Sequence, residues 1–440
     1  MRYLLNLIYF AVLVAVAPWL VYRAVRQGKY REGYAEKLVG KVPRRSSDRP
    51  CLWFHAVSVG EVNLLAPLIR RIEQQHPDWQ CVVSTTTRTG MALARKKYPG
   101  LSVFYCPLDF SWATARAMRR VRPDVLVLAE LELWPNLIAA AKRAGAKVAV
   151  INGRLSENSY AGYRRIRPLL ARLLGRLDLV AAQDATYAER FLALGARRSS
   201  VQSTGSMKYD GAVTDRQNRE TQRLRELAGF ADNDIVVLAG STQEPEEEAA
   251  VEVFRRLSPR WPRLRLVLVP RHPERFEAVA RMLDASGIAW QRRTELSHEE
   301  ASVGAKSSAR VLLVDVVGEL GAWWGTAHIA FVGGSLGRRG GQNMIEPAAY
   351  GAAVSFGPNT RNFRDIVSAM LRRDAAVVVA DVDALARFVA NCLEHPKEAA
   401  ALGRRAQELV LEQLGATERT LSLLEHLVPD IAEPSRELAA

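Results

Sequence analysis

The stretch from Phe331 to Pro347 decides the fold and reads Phe-Val-Gly-Gly-Ser-Leu-Gly-Arg-Arg-Gly-Gly-Gln-Asn-Met-Ile-Glu-Pro. It starts at the end of an apolar strand, residues 328–332, and turns through glycines, which let backbone N–H groups approach a ligand closely. A helix is predicted to begin near Asn343, and a helix N-terminus attracts anions such as phosphate. Glu346, on its first turn, can accept hydrogen bonds from ribose hydroxyls. The stretch predicts a nucleotide pocket; a glycine-rich loop without special chemistry is the alternative.

The composition allows two domains plus an anchor, because the chain has 440 residues. The net charge of +14 indicates an anionic partner, either nucleic acid or an anionic membrane or lipid. No RNA-binding motif and no interleaving of basic and aromatic residues is present, so no nucleic acid partner is expected.

The first 22 residues are predicted to form a membrane helix. Residues 4–21 carry no charge, and about 20 helical residues span roughly 30 Å, the thickness of the hydrocarbon core. The segment 23–47 is basic, which predicts that the bulk of the chain lies in the cytoplasm. A helix lying in the membrane interface and a cleaved signal peptide are the alternatives.

Apolar strands alternate with amphipathic helices from Cys51 onward, which predicts parallel sheets with helices on both faces. We predict a first domain over 48–212, a linker over 213–232, a second domain over 233–415 and a terminal helix and tail over 416–440. Ligands of such sheets bind at the carboxyl ends of the strands. One helix is predicted over Tyr160–Leu174, a strand over Val311–Leu320, and continuous helix from Asp383 to about Leu427.

Acidic residues follow two strands of the first domain. Ser58, Gly60 and Glu61 follow the first strand, where Gly60 is predicted to allow a tight turn. Glu61 is predicted to open a helix at a junction that faces the cleft between the domains. From there its carboxylate could take a proton from an acceptor hydroxyl. The alternative is that Glu61 only interacts favourably with the helix dipole. Glu130 and Glu132 end another apolar strand, where carboxylates are costly unless paired or functional. A structural ion pair of either acid, for example with Arg154, is the alternative there.

Two further strand ends mark the second domain. Pro270 and Arg271 follow one strand, and Arg271 can form charge-assisted hydrogen bonds to a phosphate. A second turn holds Val317, Gly318 and Glu319. The remaining pocket candidates are Gly333, Gly334, Ser335, Gly341, Gln342, Asn343, Met344, Ile345 and Glu346.

The four cysteines are predicted to be buried thiols, because no pair has the Cys-x-x-Cys spacing and all lie in apolar runs. The histidines do not cluster at ligand spacing, so no metal site and no cofactor are predicted.

These motifs, taken in order, resemble the 3-deoxy-D-manno-octulosonic acid (Kdo) transferases of lipopolysaccharide assembly. The resemblance covers roughly residues 31–424 and includes 55–61, 128–136, 205–210, 270–275, 317–319 and 333–347. The family usually has His where Gln243 and Gln342 stand, and Thr where Leu131 stands. The resemblance implies a GT-B glycosyltransferase, that is, two Rossmann-like domains facing a central cleft.

The resemblance also implies the reaction and its residues. Kdo would pass from CMP-Kdo to a lipid A precursor, lipid IVA, with Glu61 as proton acceptor and with Glu130 and Lys208 stabilising the transition state. Pro270, Arg271 and the turn at Val317–Glu319 would line the nucleotide. The protein would act at the cytoplasmic side of the inner membrane, as a single-pass or peripheral protein. A GT-B transferase of another sugar nucleotide, and a membrane-tethered nucleotide-binding protein without transferase activity, are the alternatives.

Overall fold

The computed structural model describes residues 2–27, 32–296 and 309–429. Lys29 and Arg31 of the predicted basic segment, and the tail beyond residue 429, lie outside these ranges. The chain divides into two compact units. Unit 1 comprises Met1–Asp210 and Gln413–Ala440, and unit 2 comprises Gly211–Glu412.

The core of unit 1 is a seven-stranded parallel sheet with the order β3-β2-β1-β4-β5-β6-β7. Its strands are β1 (Cys51–His55), β2 (Gln80–Thr85), β3 (Ser102–Tyr105), β4 (Val125–Ala129), β5 (Lys147–Gly153), β6 (Leu179–Ala182) and β7 (Val201–Ser203). β1 and β4 are buried over their whole length, which explains why they read as continuous apolar runs and not as alternating ones.

Helices cover both faces of this sheet. The helices of unit 1 up to residue 210 are α1 (Arg2–Gln27), α2 (Tyr34–Val39), α3 (Val59–Gln75), α4 (Arg88–Lys97), α5 (Ser111–Val121), α6 (Pro135–Arg143), α7 (Glu157–Arg164), α8 (Arg167–Leu174) and α9 (Ala185–Leu194). The single helix predicted over Tyr160–Leu174 is wrong: it is divided into α7 and α8. Pro168 stands in the first turn of α8, a position where proline is tolerated because its missing N–H has no partner to lose.

Unit 2 also contains a seven-stranded parallel sheet, with the order β10-β11-β9-β8-β12-β13-β14. Its strands are β8 (Ile235–Thr242), β9 (Leu264–Pro270), β10 (Trp290–Arg292), β11 (Val311–Leu313), β12 (Ile329–Val332), β13 (Ala353–Phe356) and β14 (Val377–Val378). The strand predicted over Val311–Leu320 ends at Leu313, because the chain then leaves the sheet for the turn that contains Gly318.

The helices of unit 2 are α10 (Arg219–Leu227), α11 (Glu246–Leu257), α12 (Phe276–Ser286), α13 (Leu320–Trp323), α14 (Ile345–Ala349), α15 (Arg364–Arg372), α16 (Val382–Glu394) and α17 (Pro396–Gln413). A last helix, α18 (Ala416–Glu425), belongs to unit 1, where Leu421 and Leu424 are buried in the core. The continuous helix predicted from Asp383 is interrupted before Pro396 and at Gly415, whose φ of 82° is left-handed.

Helix α1 contacts the rest of unit 1 through polar side chains. Asn6 exchanges two hydrogen bonds with Ser111, at 2.7 and 3.0 Å, and the Tyr9 hydroxyl donates to Asp109 at 3.1 Å. Many of its large apolar side chains are exposed. Across residues 2–27, 32–296 and 309–429, no helix has the length and apolarity needed to cross a membrane, so the predicted membrane-spanning helix is not supported.

The predicted state of the cysteines is confirmed: Cys51, Cys81, Cys106 and Cys392 are buried free thiols. Burial raises the pKa of each thiol, for Cys392 to about 12.

Candidate active site

Glu61 lies in the first turn of α3 and is held by its own turn. Ser58, the N-cap, accepts a hydrogen bond from the Glu61 N–H at 3.2 Å and donates its hydroxyl to Oε1 at 2.7 Å. The Val57 N–H donates to Oε2 at 2.8 Å. Burial raises the pKa of Glu61 although these hydrogen bonds oppose the shift. The carboxylate is therefore fixed in place and a stronger base than an exposed glutamate.

Gly60 does not form the tight turn that was predicted. It lies inside α3 and is not among the glycines with positive φ. A Cβ built at Gly60 would meet only the Ser58 hydroxyl, at 3.7 Å. The absence of a side chain at Gly60 leaves the space beside Glu61 open, but the backbone conformation at this position does not require a glycine.

Glu130 follows β4 directly and has a left-handed backbone, with φ of 55°. Such a conformation is costly for a residue with a side chain and is found at functional sites. Its Oε1 lies 2.7 Å from Nζ of Lys208, and its Oε2 lies 4.0 Å from Nε of Arg154. Arg154, which was considered as a structural partner of these acids, therefore lies at ion-pair distance from Glu130.

Glu132 completes a group of three carboxylates in unit 1. Its Oε2 accepts a hydrogen bond from the Trp134 indole at 2.9 Å. Burial, followed by the negative charge of Glu61, raises the pKa of Glu132 to about 7. Glu130 adds to the repulsion that both other carboxyls experience. The three acids that sequence placed at two strand ends are thus close enough for the charges of Glu61 and Glu130 to raise the pKa of Glu132, because the strands β1 and β4 are neighbours.

The glycine turn after β12 binds a carboxylate of the protein itself. The N–H groups of Gly334, Ser335 and Leu336 donate to Glu246 at 2.7, 2.8 and 2.9 Å, and the N–H of Gln243 donates to it at 2.9 Å. Glu246 is 1% exposed. These N–H groups are therefore used within the protein and are not free for a ligand.

Close packing explains the first glycine of this turn. A Cβ at Gly333 would lie 2.6 Å from the carbonyl oxygen of Ser241 and 2.8 Å from Glu246, which excludes any side chain there. The Ser335 hydroxyl donates to the Val332 carbonyl at 2.6 Å and accepts from the Gly357 N–H at 2.8 Å. Gly333 and Ser335 therefore shape the loop and hold it closed.

The nucleotide-pocket candidates after the loop fall into buried and accessible groups. Met344 and Ile345 are buried, so only their backbone can face a ligand. Asn343 accepts from the Ile345 N–H at 3.1 Å and donates to Glu346 at 2.9 Å. Burial raises the pKa of Glu346, and hydrogen bonding from Asn343 opposes that shift.

Arg271 lies at the end of β9, directly after Pro270, and its side chain is exposed. Its positive charge acts on Glu346, and its N–H donates to the Thr242 carbonyl at 3.0 Å. The end of β9 and the start of α14 therefore bring a cation, a carboxylate and an amide together.

At the turn Val317–Glu319, backbone groups are more accessible to a ligand than charged groups are. Val317 is 73% exposed and Gly318 has φ of 99°. The Glu319 carboxylate is held by Arg293 through two hydrogen bonds of 2.8 and 2.9 Å, and by the Trp323 indole at 3.2 Å. The carboxylate is occupied, so a ligand at this turn would meet the backbone of the two preceding residues.

Sequence reasoning missed two contributors to this pocket. Glu246 was readable as an acid at a helix start after Gly-Ser-Thr, but its partners lie about 90 positions away. Trp324, whose side chain acts to lower the pKa of Glu346, gave no local signal.

Solved structures share the architecture of the chain. UDP-GlcNAc 2-epimerase from Neisseria meningitidis, bound to UDP-GlcNAc, matches with a TM-score of 0.52 and 13% identity, over 86% of this chain and 100% of that one. A glycosyltransferase from Rickettsia africae matches with a TM-score of 0.51 and 12% identity, over 87% and 99%. At such identities the likeness shows the fold alone, which is the predicted GT-B fold.

Sequence relatives define the family. The family described as 3-Deoxy-D-manno-octulosonic-acid transferase (kdotransferase) matches residues 30–211. The 3-deoxy-D-manno-octulosonic acid transferase of Haemophilus influenzae is 34% identical over 407 residues, 91% of this chain and 92% of that protein. Its namesake from Bordetella pertussis is 33% identical over 433 residues, 95% and 98%.

The fold and these relatives together define a glycosyltransferase of the GT-B class. More narrowly, the chain belongs to the 3-deoxy-D-manno-octulosonic acid (Kdo) transferase family, as the motifs predicted.

Proposed function

We propose that this glycosyltransferase moves Kdo from CMP-Kdo to a hydroxyl of a lipid A precursor, lipid IVA, in lipopolysaccharide core synthesis. The observation that supports it most is the state of Glu61. Its carboxylate is held by Ser58 and Val57, and burial raises its pKa. A general base needs a fixed position and a proton affinity above that of an exposed carboxylate.

In this proposal Glu61 takes the proton of the acceptor hydroxyl as the oxygen bonds to the anomeric carbon of Kdo. The bond from that carbon to the CMP phosphate breaks, and the configuration inverts. General-base assistance is typically worth about 10² to 10⁴ in rate, or about 3–5 kcal/mol.

Lys208 is proposed to stabilise the negative charge of the reacting donor. The Glu130 carboxylate, 2.7 Å from Nζ of Lys208, would orient the ammonium group. A fixed cation costs no reorganisation when charge develops in the transition state.

The donor nucleotide is proposed to bind unit 2. Arg271 would pair with the phosphate, because a guanidinium donates in the fork geometry that phosphate oxygens accept. Glu346 would accept from the ribose hydroxyls, and the backbone of Val317 and Gly318 would contact the cytidine.

We also propose that the protein works at the cytoplasmic side of the inner membrane. In helix α1, Leu4, Leu7, Phe10 and Trp19 are exposed to between 49% and 65%. Basic residues follow them, and the chain carries a net charge of +14. An apolar helix followed by basic residues suits an anionic lipid surface, whether the helix lies in the interface or enters it.

The test is transfer from CMP-Kdo, generated in situ, to a tetraacylated lipid A precursor, with mass spectrometry of the product. Product from the native chain and little from Glu61→Ala supports both the reaction and the base. Product only with another sugar nucleotide in a donor competition would overturn the Kdo assignment. Full activity of the variant would overturn Glu61 as base, and Glu130 would be examined next.

A further inference from the structure

Two glutamine side chains from distant parts of the sequence meet in unit 2. Gln243 follows β8 directly, and Gln342 lies in the loop after β12, the strand that pairs with β8. A Cβ built on Gly334 would lie 3.2 Å from Nε2 of Gln342 and 3.7 Å from Nε2 of Gln243. Both amide nitrogens therefore approach the same point above Gly334.

Both side-chain amides are available to a ligand. Among the described residues, no side-chain hydrogen bond is formed by Gln243 or Gln342, although Gln243 is only 9% exposed. The neighbouring Thr242 hydroxyl is fully buried and likewise has no partner in the described ranges. A buried polar group without a partner, such as this hydroxyl, costs free energy unless a ligand or water satisfies it.

The backbone N–H and carbonyl groups around the pair already form hydrogen bonds within the protein. The N–H of Gln243 donates to Glu246 at 2.9 Å, its carbonyl accepts from the Glu246 N–H at 2.6 Å, and the Gly341 N–H donates to the Gly334 carbonyl at 2.8 Å. Because Glu246 also takes three N–H groups of the glycine turn, recognition at this point falls to side chains.

The position of the pair indicates which part of a ligand it would meet. Gln342 immediately precedes Asn343, which bonds to Glu346, and Thr242 bonds to the backbone of Arg271. The pair thus lies beside the proposed phosphate and ribose contacts. An uncharged amide with two donors suits carboxylate and hydroxyl oxygens, the groups of an acidic sugar.

We propose that Gln243 and Gln342 form a pair of hydrogen-bond donors that recognises the carboxylated sugar of the donor substrate. This inference rests on the proposed function, since it presumes that unit 2 binds CMP-Kdo. The pair determines specificity for the sugar, while the nucleotide is bound by other groups. Gly334 leaves room for both amides, because a side chain there would press on Gln342.

The test separates sugar binding from nucleotide binding. Gln243→Met and Gln342→Met keep length and remove the donors, so each is expected to raise KM for CMP-Kdo about tenfold. The inhibition constant of CMP, which lacks the sugar, is expected to stay within about twofold of the native value. Gln342→Glu places a carboxylate against the sugar acid and is expected to raise KM further. Gln291→Met, in the edge strand β10, is the matched control.

Parallel rises in KM for CMP-Kdo and in the inhibition constant of CMP would overturn the proposal, because the amides would then act on the nucleotide or on the loop itself. Unchanged constants in both variants would overturn it as well. If the native chain transfers no Kdo, the proposed function fails instead. Displacement of bound CMP by CMP-Kdo, compared between native protein and Gln342→Met, then still decides whether the pair recognises the sugar.

Discussion

Glu61 and Glu246 occupy the same place in their respective units. Each lies in the first turn of the helix that follows the first strand of its unit in chain order, α3 after β1 and α11 after β8. Glu61 receives two hydrogen bonds, both from its own turn, and burial raises its pKa. Glu246 is almost fully buried and receives four backbone hydrogen bonds, three of them from the turn after β12.

The difference shows what separates a reactive acid from a structural one. Four N–H donors saturate both oxygens of a carboxylate and leave no site for a substrate proton. Two local donors fix the orientation of Glu61 while leaving lone pairs open. The local sequence signal, an acid at a helix start, is the same in both cases; the neighbouring loop decides the role.

The substitution with the largest expected effect on this comparison is Glu61→Gln, which keeps the size of the side chain and removes the base. We expect kcat to fall by about 10² to 10⁴ with little change in unfolding temperature. Steady-state transfer assays and thermal unfolding measure the two quantities. Glu73→Gln, an exposed change in the same helix, should leave kcat unaltered, and a stability loss large enough to explain the rate would contradict the proposed role.

Glu246→Ala tests the other side of the comparison. It removes the acceptor of four N–H groups, so the free energy of unfolding of unit 2 should fall by about 3 kcal/mol. Urea unfolding followed by intrinsic fluorescence reports this value. Glu248→Ala, exposed on the same helix, is the control. Wild-type stability in Glu246→Ala would mean that the glycine turn holds its shape without the carboxylate.

Lys208→Met tests whether the ion pair of Glu130 with Lys208 contributes to catalysis, as Glu61 is proposed to do. The variant loses a cation 2.7 Å from Glu130, and we expect kcat to fall about a hundredfold. Lys142→Met removes a pair of the same 2.7 Å length with Asp178, and its kcat should be unchanged. Equal losses in both variants would indicate general destabilisation and not charge stabilisation.

Glu132→Gln gives the smallest effect and depends on pH. Since the pKa of Glu132 is raised to about 7 in the fold, the folded state binds the proton more tightly than the unfolded chain. Its contribution to stability is present below about pH 4.5 and is lost as the pH rises through 7. The variant should therefore gain about 1 kcal/mol over native protein at pH 8, after allowance for solvent screening, and nothing at pH 4.

Unfolding of native protein and variant across this pH range gives that value. Glu157→Gln, an exposed acid at the start of α7, serves as the control. A gain that is the same at both pH values would show that Glu132 does not titrate in this window.

Much of the fold and of the candidate site could be predicted from the sequence. Apolar runs such as residues 125–129 predicted buried parallel strands, and the carboxyl ends of those strands located Glu61, Glu130 and Arg271. Contacts between residues far apart in the chain could not be predicted. Nothing near the glycine turn indicated that Glu246 would occupy its N–H groups, and the pairing of Lys208 with Glu130 links positions whose distance depends on the order of the strands. At the start of the short helix predicted near Asn343, the Ile345 N–H donates to the Asn343 side chain, a local contact that the sequence pattern did not show.

The return of α18 to unit 1 has a consequence for how the protein is made. Unit 1 is encoded in two pieces, and its core includes Leu421 and Leu424, which the ribosome adds after the whole of Gly211–Glu412. At about 5–20 residues per second, roughly 10–40 seconds separate the two pieces. During that time, α3 and the core residues around it are exposed where the apolar side chains of α18 will later bury them. A fragment that stops at Glu412 should accordingly be cut by protease within unit 1 sooner than the full-length chain.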